Sequence, residues 1–239
     1  MLRTRGTDRA MSRLFFVVNK LGELDFATFL ERHLAECLTD VGTAVPSDPQ
    51  QYRLIVLWSY RKIVRPIPSS RNLILFHSSD LPSGRGWAPI YNAVAEGHTH
   101  HTISGIFAAD EVDSGDVIVK ARFPILPQYT AGDLRRFDAE ISIILIRRIL
   151  ERFRDQPITG TPQAGVPTYR NRRTEGDNGF DILRPFSELI GHFRACERDH
   201  PAFFDFNGAK YVIHIEPVEP RAFPRDISIE FGSPDADKP

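Results

Sequence analysis

The sequence has little cysteine and no excess of charge of either sign. Its 239 residues include two cysteines, and 30 Lys and Arg balance 31 Asp and Glu, for a net charge of −1. Cys37 and Cys196 form no CxxC pair, which indicates neither a thiolate metal site nor a disulfide framework and favours a reducing cytoplasm. The pI of about 6.7 argues against a surface built for nucleic acid, although a local basic patch is compatible with it.

Long hydrophobic runs are also missing. The most apolar stretch, 141–146, ends at two arginines, whereas a membrane span needs ~20 apolar residues. The run Leu14–Val18 is shorter than the ~7–15 residues of a secretory signal. We therefore expect no membrane span and no secretory leader, and membrane association would need a partner.

Short apolar runs alternate with amphipathic stretches, which is the pattern of an α/β protein. The runs predict strands at Leu14–Val18, Leu54–Leu57, Leu73–Phe76, Thr102–Phe107 and Val117–Phe123. Helices are predicted at Asp25–Leu38, Pro89–Glu96, Thr130–Phe153 and Phe186–Cys196. Thr130 with Asp133 resembles a capping box, 155–178 is predicted to be a loop, and Asn207-Gly208 predicts a hairpin turn. Strands that are apolar on both faces are typical of a mostly parallel sheet.

Polar and turn residues are densest at 77–86, directly after a predicted strand, and again at 110–116. In open α/β sheets, ligands bind beyond the carboxyl ends of the strands, and His77 stands at such an end. A histidine with a carboxylate is a general acid/base arrangement. The alternative is a loop histidine that a neighbouring hydroxyl group caps.

These residues also form a composite motif. His-x-Ser-x-Leu-Pro-x-x-Arg-Gly runs from His77 to Gly86 and is followed by Pro89-Ile90, by Gly97 and by the segment 111–116, which reads Glu-Val-Asp-Ser-Gly-Asp. The motif, with the separation of His77 from Asp113, resembles the formyltransferases that use 10-formyltetrahydrofolate. The resemblance covers roughly residues 54–123.

The resemblance implies a fold and a division of the chain. The expected fold is α/β, with a Rossmann-like formyltransferase core, a mostly parallel sheet and a small α+β extension at the C-terminus. The core is predicted at 11–154 and the extension, a loop, a helix and a β-hairpin, at 155–232. Residues 1–10 and 233–239 are expected to be flexible tails.

The resemblance also implies roles for single residues. His77 is expected to donate a hydrogen bond to the formyl oxygen as negative charge develops there, and Asp113 to orient His77 and accept the proton of the amine. The residues implied to bind the folate co-substrate are Tyr60, Lys62, Ile63, Val64, Leu81, Pro82, Arg85, Gly86 and Asp110.

The chain departs from the family pattern at one position. Leu75 stands where the family has an asparagine, two residues before the histidine. Loss of one oxyanion donor costs about 10²–10³ in rate. Three interpretations remain open: Ser78, Ser79 or a backbone N–H substitutes for the asparagine, the subfamily tolerates the loss, or the protein is a slow or inactive relative that binds folate or a nucleotide.

The segments around 169–173 and 201–208 resemble the extension of sugar N-formyltransferases. This implies a nucleotide-linked amino sugar as acceptor, as in the biosynthesis of bacterial surface polysaccharide, with another small amine as the alternative. A tRNA acceptor fits poorly with the near-zero charge and with the short stretch after the long helix. The residues predicted to bind the acceptor are Ser79, Trp87, Tyr91, Arg172 and Arg173; for the last four, core packing or a solvated basic loop is the alternative.

Two further features have weaker implications. His98-Thr-His-His101 has no partner residues with recognisable zinc spacing, so we predict no metal and interpret it as a polar loop. The apolar stretch 186–193 suits either the core or the interface of a homodimer, and the sequence does not separate the two.

Overall fold

The structure is a computed structural model that describes residues 12–21, 32–68 and 71–232. Its strands are β1 (Ser12–Val17), β2 (Cys37–Gly42), β3 (Leu54–Leu57), β4 (Leu73–His77), β5 (Arg85–Gly86), β6 (His100–Phe107), β7 (Val117–Pro124), β8 (Tyr169–Arg170), β9 (Ala202–Phe206), β10 (Ala209–Ile213) and β11 (Ser228–Phe231). Its helices of more than one turn within these ranges are α1 (Pro89–Ala95), α2 (Ala131–Arg152) and α3 (Phe186–Ala195), and 3₁₀ turns lie at Pro49–Gln51 and Glu175–Asn178.

A seven-stranded sheet in the order β11-β7-β6-β4-β3-β1-β2 forms the centre of the described structure. Strands β1 to β4 pair in parallel, whereas β6 is antiparallel to β4, β7 to β6 and β11 to β7. Five of the seven strands therefore point the same way. The predicted α/β fold with a mostly parallel sheet is confirmed.

Helix α2 begins where the capping box was predicted. The hydroxyl of Thr130 accepts from the backbone N–H of Asp133, and the Asp133 carboxylate accepts from the N–H of Thr130, so each side chain satisfies a free N–H of the helix start. One face of the helix packs on the sheet, with fully buried Phe137 edge-to-face against Phe123, Tyr129 and Phe223. Local capping and apolar periodicity together fix this helix on the sheet.

One predicted boundary was wrong. The helix predicted at Asp25–Leu38 falls partly outside the described residues, and its last two positions belong to β2, which begins at Cys37 and pairs in parallel with β1. This strand lies at the edge of the sheet and has no fully buried residue. It therefore lacks the continuous apolar run by which the inner strands were recognised.

The chain after α2 returns to the core. Within 155–178, predicted as a loop, β8 pairs with β5 and Thr161 exchanges two backbone hydrogen bonds of 2.8 Å with Val117. The hairpin predicted at Asn207-Gly208 is formed by β9 and β10. Strand β11 completes the main sheet beside β7. The division into a core at 11–154 and an extension at 155–232 stays a prediction, and the predicted tails lie outside the described residues.

Helix α3 realises the core alternative for the stretch 186–193 on one side, and the homodimer alternative stays a prediction. Leu189 and Phe193 are buried with Ala202 of β9 in a small apolar cluster. Phe186 and Ile190 on the same helix are 60% and 39% exposed. The helix thus contributes to the core on one side and leaves apolar side chains on the other. In the described part of the chain, no helix is both long enough and apolar enough to cross a membrane.

Candidate active site

His77 is the last residue of β4, and its ring meets an oxygen atom at each nitrogen. Nε2 lies 2.8 Å from the carbonyl oxygen of Gly84, and Nδ1 lies 3.4 Å from Oδ2 of Asp113. A carbonyl oxygen only accepts, so Nε2 is the donor in the first contact. The side chains of His77 and Asp113 are 9% and 11% exposed. The structure therefore brings together the two predicted catalytic residues in a nearly closed site.

Asp113 lies in the turn between β6 and β7 in a left-handed backbone conformation, with φ of 54°. Aspartate tolerates this region better than most residues because its short side chain can hydrogen-bond locally. Its Oδ2 accepts from the backbone N–H of Gly86 at 2.9 Å. Two residues on, Gly115 lies so close to β6 that a Cβ would come 1.8 Å from the carbonyl oxygen of Phe107. This close approach brings the turn back over the sheet.

Gly86 connects the two loops and has no room for a side chain. Its φ is 94°, and a Cβ there would lie 2.5 Å from the carbonyl oxygen of Arg170. The contact belongs to the short parallel pairing of β5 with β8. Glycine is needed here for both conformation and space, which agrees with its place in the motif.

Arg85 is buried inside this arrangement. Its guanidinium donates to Oε1 of Gln163, at 2.7 Å from Nη2, and to the hydroxyl of Tyr169, at 2.9 Å from Nη1. The side-chain amide of Gln163 in turn donates to the carbonyl oxygens of Asp113 and Gly115, each at 2.8 Å. Sequence reasoning missed Gln163 and assigned Tyr169 no role at the site. Both lie in a segment without periodicity, and only the tertiary contacts reveal them.

Two polar side chains of the sheet hold the 77–86 loop from behind. Ser104 of β6, fully buried, donates to the carbonyl oxygen of Ser79 at 2.7 Å. Lys120 of β7 donates to the carbonyl oxygen of Leu81 at 2.7 Å and pairs with Asp80. Sequence reasoning missed both, although a serine and a lysine inside strongly apolar strands were a signal that could have revealed them.

Leu75 lies in an apolar part of the site. On β4 it is opposite Leu57 of β3 and Ile106 of β6, and it shares the sheet face of His77 because side chains alternate along a strand. The hydroxyl of Ser79, one of the suggested substitute donors, already donates to the carbonyl oxygen of Ser83 at 2.7 Å. In this conformation Ser79 therefore uses its hydrogen inside the loop and does not replace the missing asparagine.

In the segment 60–64, predicted to bind folate, some side chains pack against the core and others are exposed to solvent. Tyr60 and Val64 pack against the cluster of Val17, Tyr52, Ile55 and Leu73, and the Tyr60 hydroxyl donates to the carbonyl oxygen of Thr43 at 3.0 Å. Ile63 is 70% exposed and Lys62 is exposed. Tyr60 therefore packs against the core, and binding by this segment stays a prediction.

The remaining predicted folate residues lie on the two loops. Leu81 is 2% exposed and serves the packing of the 77–86 loop, with Pro82 next to it. The carbonyl oxygen of Asp110 accepts from Arg65 at 3.0 Å, which ties the segment after β3 to the turn after β6. Between these two segments lies a cavity of about 270 Å³, lined on its apolar side by Ile67, Leu73 and Phe107. Its wall also includes Ser114 and Gly115, the residues directly after Asp113.

Four of the five residues predicted to bind the acceptor form two cation–aromatic pairs. Arg172 lies over the ring of Trp87 at 5.0 Å, and both side chains are exposed. Arg173 lies over the ring of Tyr91 and donates to Oδ1 of Asn178 at 2.6 Å. The first pair faces solvent directly after Gly86, whereas the second already has partners inside the protein.

Tyr91 serves the docking of α1 on α3. Its hydroxyl lies 2.7 Å from Nδ1 of His192, whose Nε2 lies 3.0 Å from the carbonyl oxygen of Asn178 and must therefore donate to it. Burial raises the pKa of Tyr91, so the hydroxyl keeps its proton and donates to His192. The packing alternative for Tyr91 is realised, and its role in acceptor binding stays a prediction.

The histidines of 98–101 point in different directions. His98 lies 3.3 Å from Glu96, and Thr99 contacts His100, whereas His101 is buried against Asp138 of α2. Within 12–21, 32–68 and 71–232, no three His, Cys, Asp or Glu side chains converge as metal ligands do.

A profile of the family described as formyl transferase matches residues 44–149, which include both loops of the site. This matched part, somewhat less than half of the chain, resembles the formyltransferase family. It is 29% identical over 144 residues to a methionyl-tRNA formyltransferase of Leifsonia xyli subsp. xyli, covering 60% of this chain and 48% of the relative. It is 35% identical over 123 residues to that of Symbiobacterium thermophilum, covering 50% and 37%. The chain thus spans about half or less of the length of these two curated relatives.

Solved structures share the fold across most of this chain. A methionyl-tRNA formyltransferase from Clostridium thermocellum superposes with a TM-score of 0.70 at 18% identity and covers 93% of this chain and 100% of that one. A sugar N-formyltransferase from Shewanella has a TM-score of 0.60 at 16% identity, with 86% and 97% covered. At these identities the likeness establishes the fold alone.

Proposed function

We propose that the protein transfers a formyl group from 10-formyltetrahydrofolate to the amine of a nucleotide-linked amino sugar. The observation that carries the proposal is the His77–Asp113 contact of 3.4 Å, formed by two loops that lie inside the family match at 44–149. A histidine and a carboxylate in a nearly closed site at the end of a strand suit proton transfer and oxyanion stabilisation. Two unpaired cysteines, Cys37 and Cys196, are compatible with a cytoplasmic setting.

In the transfer, the bond from the formyl carbon to the donor nitrogen breaks, and a bond to the acceptor's amine nitrogen forms. Asp113 takes the proton that the amine loses, and this proton ends on the departing donor nitrogen. His77, held through Nδ1 by Asp113, donates from Nε2 to the formyl oxygen when that oxygen becomes negative. Because Nε2 now faces the carbonyl oxygen of Gly84 at 2.8 Å, the formyl oxygen has to take the place of this carbonyl.

The donor's ring system fits the cavity between the two segments. The cavity of about 270 Å³ has an apolar wall at Ile67, Leu73 and Phe107, and Ser114, Gly115 and the ion pair of Arg71 with Asp116 also line it. A flat heteroaromatic ring with polar edges needs both kinds of surface. Since Ser114 directly follows Asp113, a ring held here lies beside the turn that carries the proposed proton acceptor.

The acceptor side rests on Trp87 and Arg172. Trp87 directly follows Gly86, which donates to Asp113, and Arg172 lies two residues after Arg170, the partner of Gly86 in the β5–β8 pairing. Both side chains are exposed. An aromatic ring with a guanidinium on its face can stack on a base or sugar and pair with pyrophosphate oxygens. The net charge of −1 argues against a surface built to bind nucleic acid.

A second candidate has its own observation. Leu75 lies between Leu57 and Ile106, so the site lacks a side-chain donor at that position, and His77 uses Nε2 on Gly84. A protein that binds folate or a nucleotide without transferring the formyl group is consistent with both facts.

The test incubates the purified protein with 10-formyltetrahydrofolate and a panel of nucleotide-linked amino sugars, with methionyl-tRNA in a parallel arm. Mass spectrometry follows the formylated product, and calorimetry follows folate binding. A formylated amino sugar is the expected result. Folate binding without any formylated product supports the second candidate, and faster formylation of methionyl-tRNA overturns the choice of acceptor.

A further inference from the structure

Residues 161–170, called the strap here, cross both loops of the site. At one end Thr161 exchanges backbone hydrogen bonds with Val117, just after the turn that carries Asp113. At the other end the hydroxyl of Thr168 accepts from the N–H of Gly84 at 2.8 Å. Gly84 is also the residue whose carbonyl oxygen faces His77. The strap therefore contacts the immediate neighbours of both members of the His77–Asp113 pair.

Gln163 is the one strap side chain that contacts both loops at the same time among the described hydrogen bonds. Its Nε2 donates to the carbonyl oxygens of Asp113 and Gly115, each at 2.8 Å. Its Oε1 accepts from Nη2 of Arg85 at 2.7 Å and from Nε at 3.3 Å. Arg85 is 7% exposed and stands next to Gly86. Both ends of the amide are thus used, and each end holds a different loop.

The position of Asp113 depends on these contacts. Its backbone has φ of 54°, a conformation that persists when the surrounding structure holds it. Nδ1 of His77 and Oδ2 of Asp113 are 3.4 Å apart, which is beyond the usual length of a hydrogen bond. A small rotation of the Asp113 peptide would move the carboxylate away from both His77 and Gly86.

We propose that Gln163 is a positioning residue: it fixes the Asp113 peptide against Arg85, and so directs the Asp113 carboxylate at His77. The part of this inference that concerns turnover rests on the proposed function. The part that concerns the geometry of His77 does not depend on any activity.

The test compares Gln163→Met, which keeps the length of the side chain without its hydrogen bonds, with Gln163→Glu. Glutamate still accepts from Arg85 but places a carboxylate oxygen against the carbonyls of Asp113 and Gly115. The matched control is Gln156→Met, because Gln156 is exposed at the end of α2 and its amide contacts only the backbone of Arg152 among the described hydrogen bonds. Thermal unfolding establishes that each variant is folded.

The first readout is the two ring nitrogens of His77, observed by long-range ¹H–¹⁵N NMR of protein labelled with ¹⁵N-histidine. The signals of His77 are those missing in His77→Ala. We expect Gln163→Met and Gln163→Glu to shift them and Gln156→Met to leave them in place. Unchanged His77 signals in both Gln163 variants overturn the proposal, whether or not the wild type shows activity.

The second readout is the kinetics of formyl transfer. We expect kcat to fall by up to about 10²-fold in both Gln163 variants, the effect of a catalytic group displaced by about 1 Å, with the KM of the formyl donor nearly unchanged. A rise of KM at constant kcat would assign Gln163 to binding and overturn the positioning role. If the wild type forms no product, the proposed function fails. The NMR signals of His77 then test the positioning role of Gln163 by themselves.

Discussion

The protein contains two histidine–aspartate pairs that consist of the same chemical groups but lie in different surroundings. His101 of β6 and Asp138 of α2 are 2.9 Å apart, and the His101 side chain is 1% exposed. His77 and Asp113 are 3.4 Å apart. The tighter pair joins a strand to the long helix, whereas the looser pair joins the end of β4 to the turn between β6 and β7.

The two pairs differ most clearly at the ring nitrogen that does not face the aspartate. Nδ1 of His101 is buried and has no hydrogen-bond partner within the described part of the chain, and its ring lies 5.2 Å from that of Phe123. In the other pair, backbone groups of Gly84 and Gly86 contact His77 and Asp113. The short His101–Asp138 contact in the core indicates a packing role. The longer His77–Asp113 contact leaves room for the histidine to exchange its backbone partner for a substrate. The length of the contact alone therefore does not identify a catalytic pair.

The largest effect is expected from the looser pair. His77→Ala and Asp113→Asn should each lower formyl transfer by at least about 10³-fold, since both the oxyanion donor and the proton acceptor act in the transition state. The melting temperature should change little, because both residues lie at the edge of the core. Steady-state kinetics with thermal unfolding provides the measurement. Rates near those of the wild type in either variant would place the chemistry elsewhere.

Gly86→Ala should damage the looser pair without touching either of its side chains. The new Cβ would lie 2.5 Å from the carbonyl oxygen of Arg170 at φ of 94°, so the N–H that holds Asp113 has to shift. We expect turnover to fall by about 10²-fold, as for a displaced catalytic group. Gly97→Ala is the control, because Gly97 has a positive φ but its Cβ position has no neighbour within 4 Å. Equal loss in both variants would mean that backbone strain, not Asp113, is the cause.

Asp138→Ala should have the opposite profile. It removes the partner of Nε2 and leaves both ring nitrogens of buried His101 without one, which costs about 1–3 kcal/mol in the free energy of unfolding. Turnover at a temperature where the variant is folded should stay within about twofold, which is the scatter expected for a change far from the reacting atoms. Urea unfolding and kinetics measure the two quantities. A large loss of turnover in folded protein would make the tighter pair part of the chemistry.

The least disruptive change is expected to be Leu75→Asn. The amide would stand on the face of His77 and add a donor for the formyl oxygen, so activity should be retained or should rise, at most by the ~10²–10³-fold that one oxyanion donor contributes. Initial rates at saturating donor measure it, and thermal unfolding checks that the variant with the buried amide is folded. A sharp loss of activity with Leu75→Asn in folded protein would show that the pocket is built around the leucine.

Much of the fold could be predicted because its causes are local. The inner strands β3 and β4 are continuous apolar runs, and Thr130 with Asp133 caps α2 through bonds within one turn. The edge strand β2 could not be predicted in the same way, because its pairing with β1 is set by a neighbour distant in sequence and its residues are only partly buried.

The candidate site likewise has a part that the sequence predicts and a part that depends on contacts between distant residues. His77, Asp113 and Gly86 were predictable from a motif of residue types at fixed spacing, and the structure brings them into contact. Tyr91 and Arg173 were predicted for the acceptor but have internal partners, His192 and Asn178. A sequence does not reveal whether an aromatic or basic side chain already has a partner, since that partner lies on another element.

The sequence by itself determined the α/β architecture, the composite motif and the absence of an asparagine at position 75, because periodicity and residue identity are properties of the chain. The tertiary structure decided which of two histidine–aspartate pairs lies at the loops, and that Gln163, Ser104 and Lys120 hold those loops in place. The physical reason is that each of these hydrogen bonds joins groups far apart in the chain, and its length and burial exist only once the sheet has brought them together.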